Sequence, residues 1–189
     1  MRAWRIGLIA GYFGGFIDAV IMRILDAVLA IPQLVSALAI VATFGAGFFQ
    51  VMIAIGVGTI PVYARLTRGQ VLSEREMDYV LAAHSMGAES KRILARHILP
   101  NILSPLIVQG SLGVAFAILA EASLSFLGIG IRPPTPTWGG MLSEGLTLIK
   151  RAPWLSIYPG LAIFLTVLSI NTIGDALRDV LDPRLRGSR

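Results

Sequence analysis

Apolar residues fall in five runs along the chain: Ile6–Ile17, Val20–Phe44, Phe48–Tyr63, Ile102–Ile131 and Trp154–Ile173. A helix rises ~1.5 Å per residue and the hydrocarbon core of a bilayer is about 30 Å thick, so a span takes about 20 apolar residues. The first run reaches only about 18 Å at that rise and is too short to cross. The other four are predicted as membrane-spanning helices. Pro32 lies in the middle of the second run and should bend it. Gly45-Ala46-Gly47 makes a tight turn before the third, and Pro61 sits near that run's end. Pro133-Pro134-Thr135-Pro136 cannot be helical, so it must lie outside the hydrocarbon or within protein. Met141 to Lys150 reads as a short amphipathic piece at the outer surface, with Trp138 and Trp154 as interfacial anchors.

One long polar stretch, from Ala64 to about Asn101, interrupts this pattern. Its centre, DYVLAAHSMGAESKRILARHILPNILSP, begins at Asp78 and reads as two short helices around a glycine. Ser73 with Glu76 three residues on has the form of a capping box, which predicts a helix start at Glu74. Met77, Val80, Leu81 and His84 then share a face. Gly87 can take the left-handed conformation that ends such a helix. Pro100 is expected to stop the next helix, Glu89 to Leu99, whose apolar stripe is Ile93, Leu94 and Ile98. By itself this pattern also fits an ordinary amphipathic hairpin between two spans.

Composition sets the class. Of 189 residues, 55% are hydrophobic and 14% charged, against about a quarter charged in soluble domains; the mean hydropathy is +0.75. The chain is therefore an all-α integral membrane protein. A net charge of +5 would suggest nucleic acid in a soluble protein, but basic residues beside spans set topology instead. Arg65, Arg68, Arg75, Lys91, Arg92 and Arg96 lie in the polar loop, and Arg178, Arg184, Arg186 and Arg189 in the tail. The other side carries Arg132, Lys150 and Arg151. Ten against three places loop and tail in the cytoplasm, and the two crossings between them agree. With no cysteine, disulfides, cysteine metal sites and thiol catalysis are excluded.

The order Ala82-Ala83-x-x-x-Gly87, nine residues, one more position, then Ile98-Leu99-Pro100 resembles the "EAA" loop of bacterial ATP-binding-cassette importer permeases. In that family the loop is cytoplasmic, and its helix docks into a cleft of a separate ATPase subunit. The family's glutamate is Leu81 here and its usual isoleucine is His97; both departures point to the dipeptide, oligopeptide and nickel branch, and the first removes a charged docking contact. AEASLSFLGIGIRPPTPTWGGMLSEG, beginning at Ala120, closely resembles the same region of that branch. INTIGDALRDVLDPRLRG ends the resemblance, which covers Gly7 to Arg186.

The resemblance implies the type I importer transmembrane fold: one permease domain with four full spans, a coupling loop at about 64–101, an outer loop at about 131–153 and a cytoplasmic tail at about 178–189. It implies Ala82, Ala83, Gly87, Ala88, Leu99 and Pro100 as the ATPase-coupling residues. It also implies a second permease subunit, two cytoplasmic ATPases, an extracytoplasmic solute-binding protein and surrounding lipid as partners, in a bacterial or archaeal plasma membrane. Family members carry an earlier span and a large outer loop, so the short first run reads as the end of a second span and the chain as a truncated permease. Arg2 and Arg5 before that run would also suit a signal peptide, but it lacks a clean cleavage site.

Ionisable residues within spans are costly unless they face protein or water. Arg23 and Asp26 read as a local ion pair near the interface. Glu121 should face inward with Ser123 and Ser125 nearby, as a structural group or as a pathway residue. The only lysines follow Ser90 and Ile149, so no phosphate-binding loop is present and ATP must be hydrolysed elsewhere. His84 and His97 match no metal-ligand spacing. No cofactor, metal site, catalytic constellation or nucleic-acid partner is expected. The reading is therefore an importer permease subunit for peptide-like solutes or nickel, the alternative being a non-transporting membrane scaffold or an inactive fragment. Solute identity is not encoded in any residue pattern.

Overall fold

The structure, a computed structural model, describes residues 3–181. Arg2 and the tail arginines Arg184, Arg186 and Arg189 lie outside the described residues. The described residues form helices in the order α1 (Ala3–Phe13), α2 (Gly15–Leu29), α3 (Gln33–Phe44), α4 (Phe48–Glu74), α5 (Asp78–Ser85), α6 (Ser90–Ile93), a π-helical turn (Leu94–Ile98), α7 (Leu99–Phe126), α8 (Trp138–Thr147) and α9 (Trp154–Leu181). Three helical stretches are long and apolar enough to cross a membrane: α4, the run Ser90–Phe126 and α9. The broken pair α2–α3 makes a fourth if it forms one span. Only 11% of the most apolar stretch of α9 is buried within the protein. The apolar surface therefore faces outward, as lipid or a membrane partner requires.

Several expected boundaries move, each for a local reason. Ile6–Ile17 is two pieces, because Gly14 and Gly15 take φ +64° and +54° between α1 and α2, a conformation open to glycine at little cost. Val20–Phe44 breaks at Pro32, whose extended ψ of 134° starts α3. The third run does not stop at Tyr63, since α4 continues to Glu74. Its 27 residues reach about 40 Å, so its basic end is the length that exceeds the hydrocarbon. The helix expected at Glu74 starts at Asp78, with no side-chain cap, because Ser73 and Glu74 complete α4 instead. Pro100 does not stop its helix. The π turn ahead of it redirects the hydrogen bonds, with Leu99 N–H donating to Leu94 O, and the widened turn carries the chain past proline.

The chain forms two compact units. The first contains residues up to Ala30, Thr59–Gly110 and the stretch from Asp175. In it α1 lies against α4 through Gly7 and Gly11. A Cβ on Gly7 would come within 2.1 Å of Ala64 O, and one on Gly11 within 2.9 Å of Val71 Cβ. Small residues four apart let helix backbones approach in this way. Its core joins Val71, Val80, Ala83, Ile93, Ile98 and Ile102.

The second unit, Ile31–Gly58 and Ser111–Gly174, is centred on Ala37, Val41, Val51, Ala54, Ile55 and Leu124. α7 ends there in a Schellman motif. Gly128 has φ +77°, its N–H donates to Ser125 O, and Ile129 N–H donates to Leu124 O. Thr137 Oγ1 caps α8 by accepting from Gly140 N–H at 3.0 Å. Gly139 packs against Ala122, where a Cβ would meet the carbonyl oxygen at 2.1 Å.

Candidate functional site

The polar stretch folds as a hairpin on the end of α4. α5 closes with a second Schellman motif: Gly87 has φ +80°, its N–H donates to His84 O at 2.9 Å, and Ala88 N–H donates to Ala83 O at 3.1 Å. The turn brings α6 back against α5. Val80 and Ala83 face the core. Met77, Leu81 and His84, expected on the same face as Val80, point outward instead. Hydrophobic burial is won by the i, i+3 pair that contacts Ile93 and Ile98, not by the stripe with the most apolar members.

Ile93 and Ile98, five residues apart, would sit about 140° apart around a regular α-helix. Both are fully buried, because the π turn between them adds a residue to the circuit and returns Ile98 to the core side.

The predicted coupling residues divide by burial. Ala83 is in the core, Ala88 and Leu99 are half-buried against it, and Ala82, Gly87 and Pro100 are exposed. The outer face they help form is apolar: Leu81 is 53% and Met86 81% exposed. Behind it an open recess of about 450 Å³ is bordered by Tyr79, Met86, Gly87, Arg92, Arg96 and His97. Neither arginine forms an ion pair among the described residues.

A polar clasp that sequence reasoning missed holds this hairpin in place. Tyr79 Oη donates to Glu74 Oε1 at the end of α4 and accepts from Asn101 Nδ2 on α7 at 2.8 Å. Asn101 Nδ2 also donates to His97 O at 2.8 Å, and the Tyr79 ring lies 6.4 Å from that of His97. Burial, reinforced by the bond to Glu74, pushes the phenol pKa up to about 12, so the hydroxyl stays protonated. No spacing rule marks a tyrosine for such a role.

Below the hairpin, ion pairs tie α2 to α4. Arg68 is bidentate on Asp18, Nε to Oδ1 and Nη2 to Oδ2, both 2.5 Å. Arg65 pairs with Asp26, which corrects the expected Arg23–Asp26 pair; Arg23 is exposed. Arg75 Nη1 donates to Gly11 O at 3.1 Å. In the other unit, Ser125 Oγ donates to Glu121 Oε1 at 2.6 Å and accepts from Ile131 N–H at 3.2 Å. Ser123 instead bonds Leu119 O on its own helix.

The family described as binding-protein-dependent transport system inner membrane component matches residues 3–187. The dipeptide transport system permease protein of Alkalihalophilus pseudofirmus is 48% identical over 96% of this chain and 60% of its own length. The glutathione transport system permease protein of Pectobacterium atrosepticum is 47% identical over 98% of this chain and 62% of its own. The di/tripeptide transport system permease protein of Pseudomonas aeruginosa is 46% identical over 97% and 60%. The chain thus spans about three-fifths of the length of these curated relatives.

Proposed function

We propose a function from one premise: the chain belongs to the family of binding-protein-dependent transport system inner membrane components, multi-pass all-α membrane proteins rather than enzymes. On this reading it is a permease subunit of an ATP-driven importer and forms half of a translocation pathway for peptide-like solutes. Its partners are a second permease, two cytoplasmic ATPases and an extracytoplasmic solute-binding protein. The solutes for which its relatives are named, dipeptide, glutathione and di/tripeptide, support peptide-like compounds as the solute class.

The observation that carries the coupling role is the hairpin itself. Leu81 and Ala82 of α5 and Met86 just after it face outward, while Val80 and Ala83 anchor the helix from beneath. Exposed apolar residues on a rigidly held polar loop are what a docking helix needs. With Leu81 in place of a glutamate, docking here is apolar at the centre, and Arg92 and Arg96 supply the charge at the rim. The excess of basic residues in the loop supports a cytoplasmic position for it and for the C-terminal tail. The test is assembly with the ATPase and second-permease subunits of one importer in proteoliposomes. Solute uptake that requires ATP supports the reading, and an assembled complex with no uptake of any peptide refutes it.

A further inference from the structure

In the second unit α8 rests on the first turn of α9 at Gly145. A Cβ there would lie 2.5 Å from Ser156 Oγ and 3.0 Å from Leu155 O, so the absence of a side chain lets the two helices meet. The link between them is turned tightly on itself, with Arg151 and Ala152 N–H both donating to Leu148 O at 2.8 Å. Beside this contact a recess of about 370 Å³ is lined by Glu144 and Leu148 on one side and by Trp154, Leu155, Tyr158 and Pro159 of α9 on the other.

The recess gathers groups that favour a cation. Glu144 is exposed and forms no ion pair among the described residues. Trp154 and Tyr158, both exposed, are the aromatic residues of the lining, and a ring face attracts an ammonium within about 6 Å. Pro159 has no N–H to give to Leu155 O, four residues back, so that carbonyl lacks its regular helical donor. None of the residues lining the recess is basic.

Its depth in the membrane follows from α9. That helix is long and apolar enough to span, with 11% of its most apolar stretch buried, and it begins at Trp154. Lys150 and Arg151 stand exposed just before it. Charged residues, then tryptophan, then an apolar run is the order of a span entering from the headgroup layer. Trp154, Tyr158, Leu161 and Leu165 share one face of α9 by their i, i+4, i+7, i+11 spacing, and all four are exposed. The recess therefore opens at headgroup depth, with an apolar stripe running from it into the hydrocarbon.

We propose that this recess binds an aminophospholipid. The headgroup ammonium meets Glu144, Trp154 and Tyr158, the phosphate lies toward Lys150 and Arg151, and an acyl chain follows Leu161 and Leu165. A soluble amine would leave the stripe uncovered. An anionic lipid without an ammonium would meet Glu144 with like charge. The inference is independent of the transport reading.

The test uses the full 189-residue chain purified in detergent and mixed with equal amounts of dioleoyl phosphatidylethanolamine and dioleoyl phosphatidylglycerol. The two share their acyl chains, and only the first carries an ammonium. Native mass spectrometry reads the lipid retained. The wild type should retain phosphatidylethanolamine about three- to tenfold over phosphatidylglycerol. Glu144→Gln, at an exposed helical position, should cut that preference at least about twofold, and Trp154→Leu about two- to fivefold. If Trp154→Leu fails to fold, Tyr158→Leu replaces it with the same expectation. Retention of neither lipid, equal retention, or a preference for phosphatidylglycerol in the wild type overturns the inference. So does an undiminished preference in either variant.

Discussion

Tyr79 on α5 and Asn101 on α7 are joined by a 2.8 Å hydrogen bond from the asparagine amide to the phenol oxygen. Twenty-two residues apart in sequence, they close the hairpin that the Gly87 turn opens, and Glu74 extends the clasp to α4. Tyr79→Phe keeps the ring against His97 and removes both bonds. It should destabilise the hairpin by about 0.5–1.5 kcal/mol per bond and weaken ATPase association while leaving the spans folded. The phenol titrates at about 12 in the fold against about 10 in an unfolded chain. Protonated tyrosine is thus the stabilised form, so its contribution is fully present below about pH 10 and lost as pH rises through about 12. Tyrosinate absorbance compared between wild type and Tyr79→Phe should show the missing titration near pH 12. A midpoint near 10 would mean that the clasp is absent.

At Gly87 a Cβ would have open space around it, with nothing within 4 Å, and only φ +80° opposes it. Gly87→Val should cost roughly 1–2 kcal/mol through that conformation alone, with less ATPase co-purified and uptake reduced. Gly87→Asn should retain most of both, because asparagine tolerates the left-handed region. Equal behaviour of the two variants would show that the turn is not the determinant.

The two α2–α4 ion pairs should differ in strength. Asp26 and Arg65 are about half exposed, whereas Asp18 is 15% and Arg68 32% exposed. Exposed pairs are worth at most about 1 kcal/mol, and removing one partner of a fully buried pair costs about 3–5 kcal/mol. Asp18→Asn should fall between, at about 1–3 kcal/mol, with Asp26→Asn near the lower limit. Thermal unfolding of the detergent-solubilised protein would rank them, and the reverse order would contradict the assigned pairing.

Ser125 joins the Glu121 carboxylate to the Ile131 amide, so Ser125→Ala strands two groups at once. It should destabilise the α7 end by about 1–3 kcal/mol. Glu121→Gln keeps an acceptor for the serine and should be tolerated far better than Glu121→Leu. Comparable loss in both Glu121 variants would point to its charge rather than its hydrogen bond, and so to a pathway role.

The helical character and order of the apolar runs were legible because their composition leaves little choice, but their number as helices was not, since Ile6–Ile17 and Val20–Phe44 each break in two. The Gly87 turn was legible because one residue type suits its backbone. What escaped was set by contacts. Val80 and Ala83 were chosen as the inner face by Ile93 and Ile98 across the hairpin, partners that helical periodicity along α5 does not register. The π turn before Pro100 has no composition signal, so the proline read as a stop. Asp26 found Arg65 on another helix, although Arg23 was nearer in sequence. Ser123 and Ser125 were both expected near Glu121, and only Ser125 bonds it; the return of the chain onto Ser125 depends on Gly128 and on the missing side chain at Gly130, where a Cβ would lie 2.3 Å from Ser125 Oγ.

The docking face proposed for α5 and the Met86 that follows it is central to the coupling role, and the absence of native cysteine allows it to be mapped directly. Single cysteines at Leu81 and Met86 on the outer face, at Val80 and Ala83 on the inner face, and at Leu146 on α8 would be paired with a cysteine at the rim of the ATPase cleft. Disulfide formation at positions 81 and 86, together with uptake that stops on oxidation and returns on reduction, is the predicted result. No cross-link at either outer position in an importer that transports, or cross-linking that favours positions 80, 83 or 146, would contradict it.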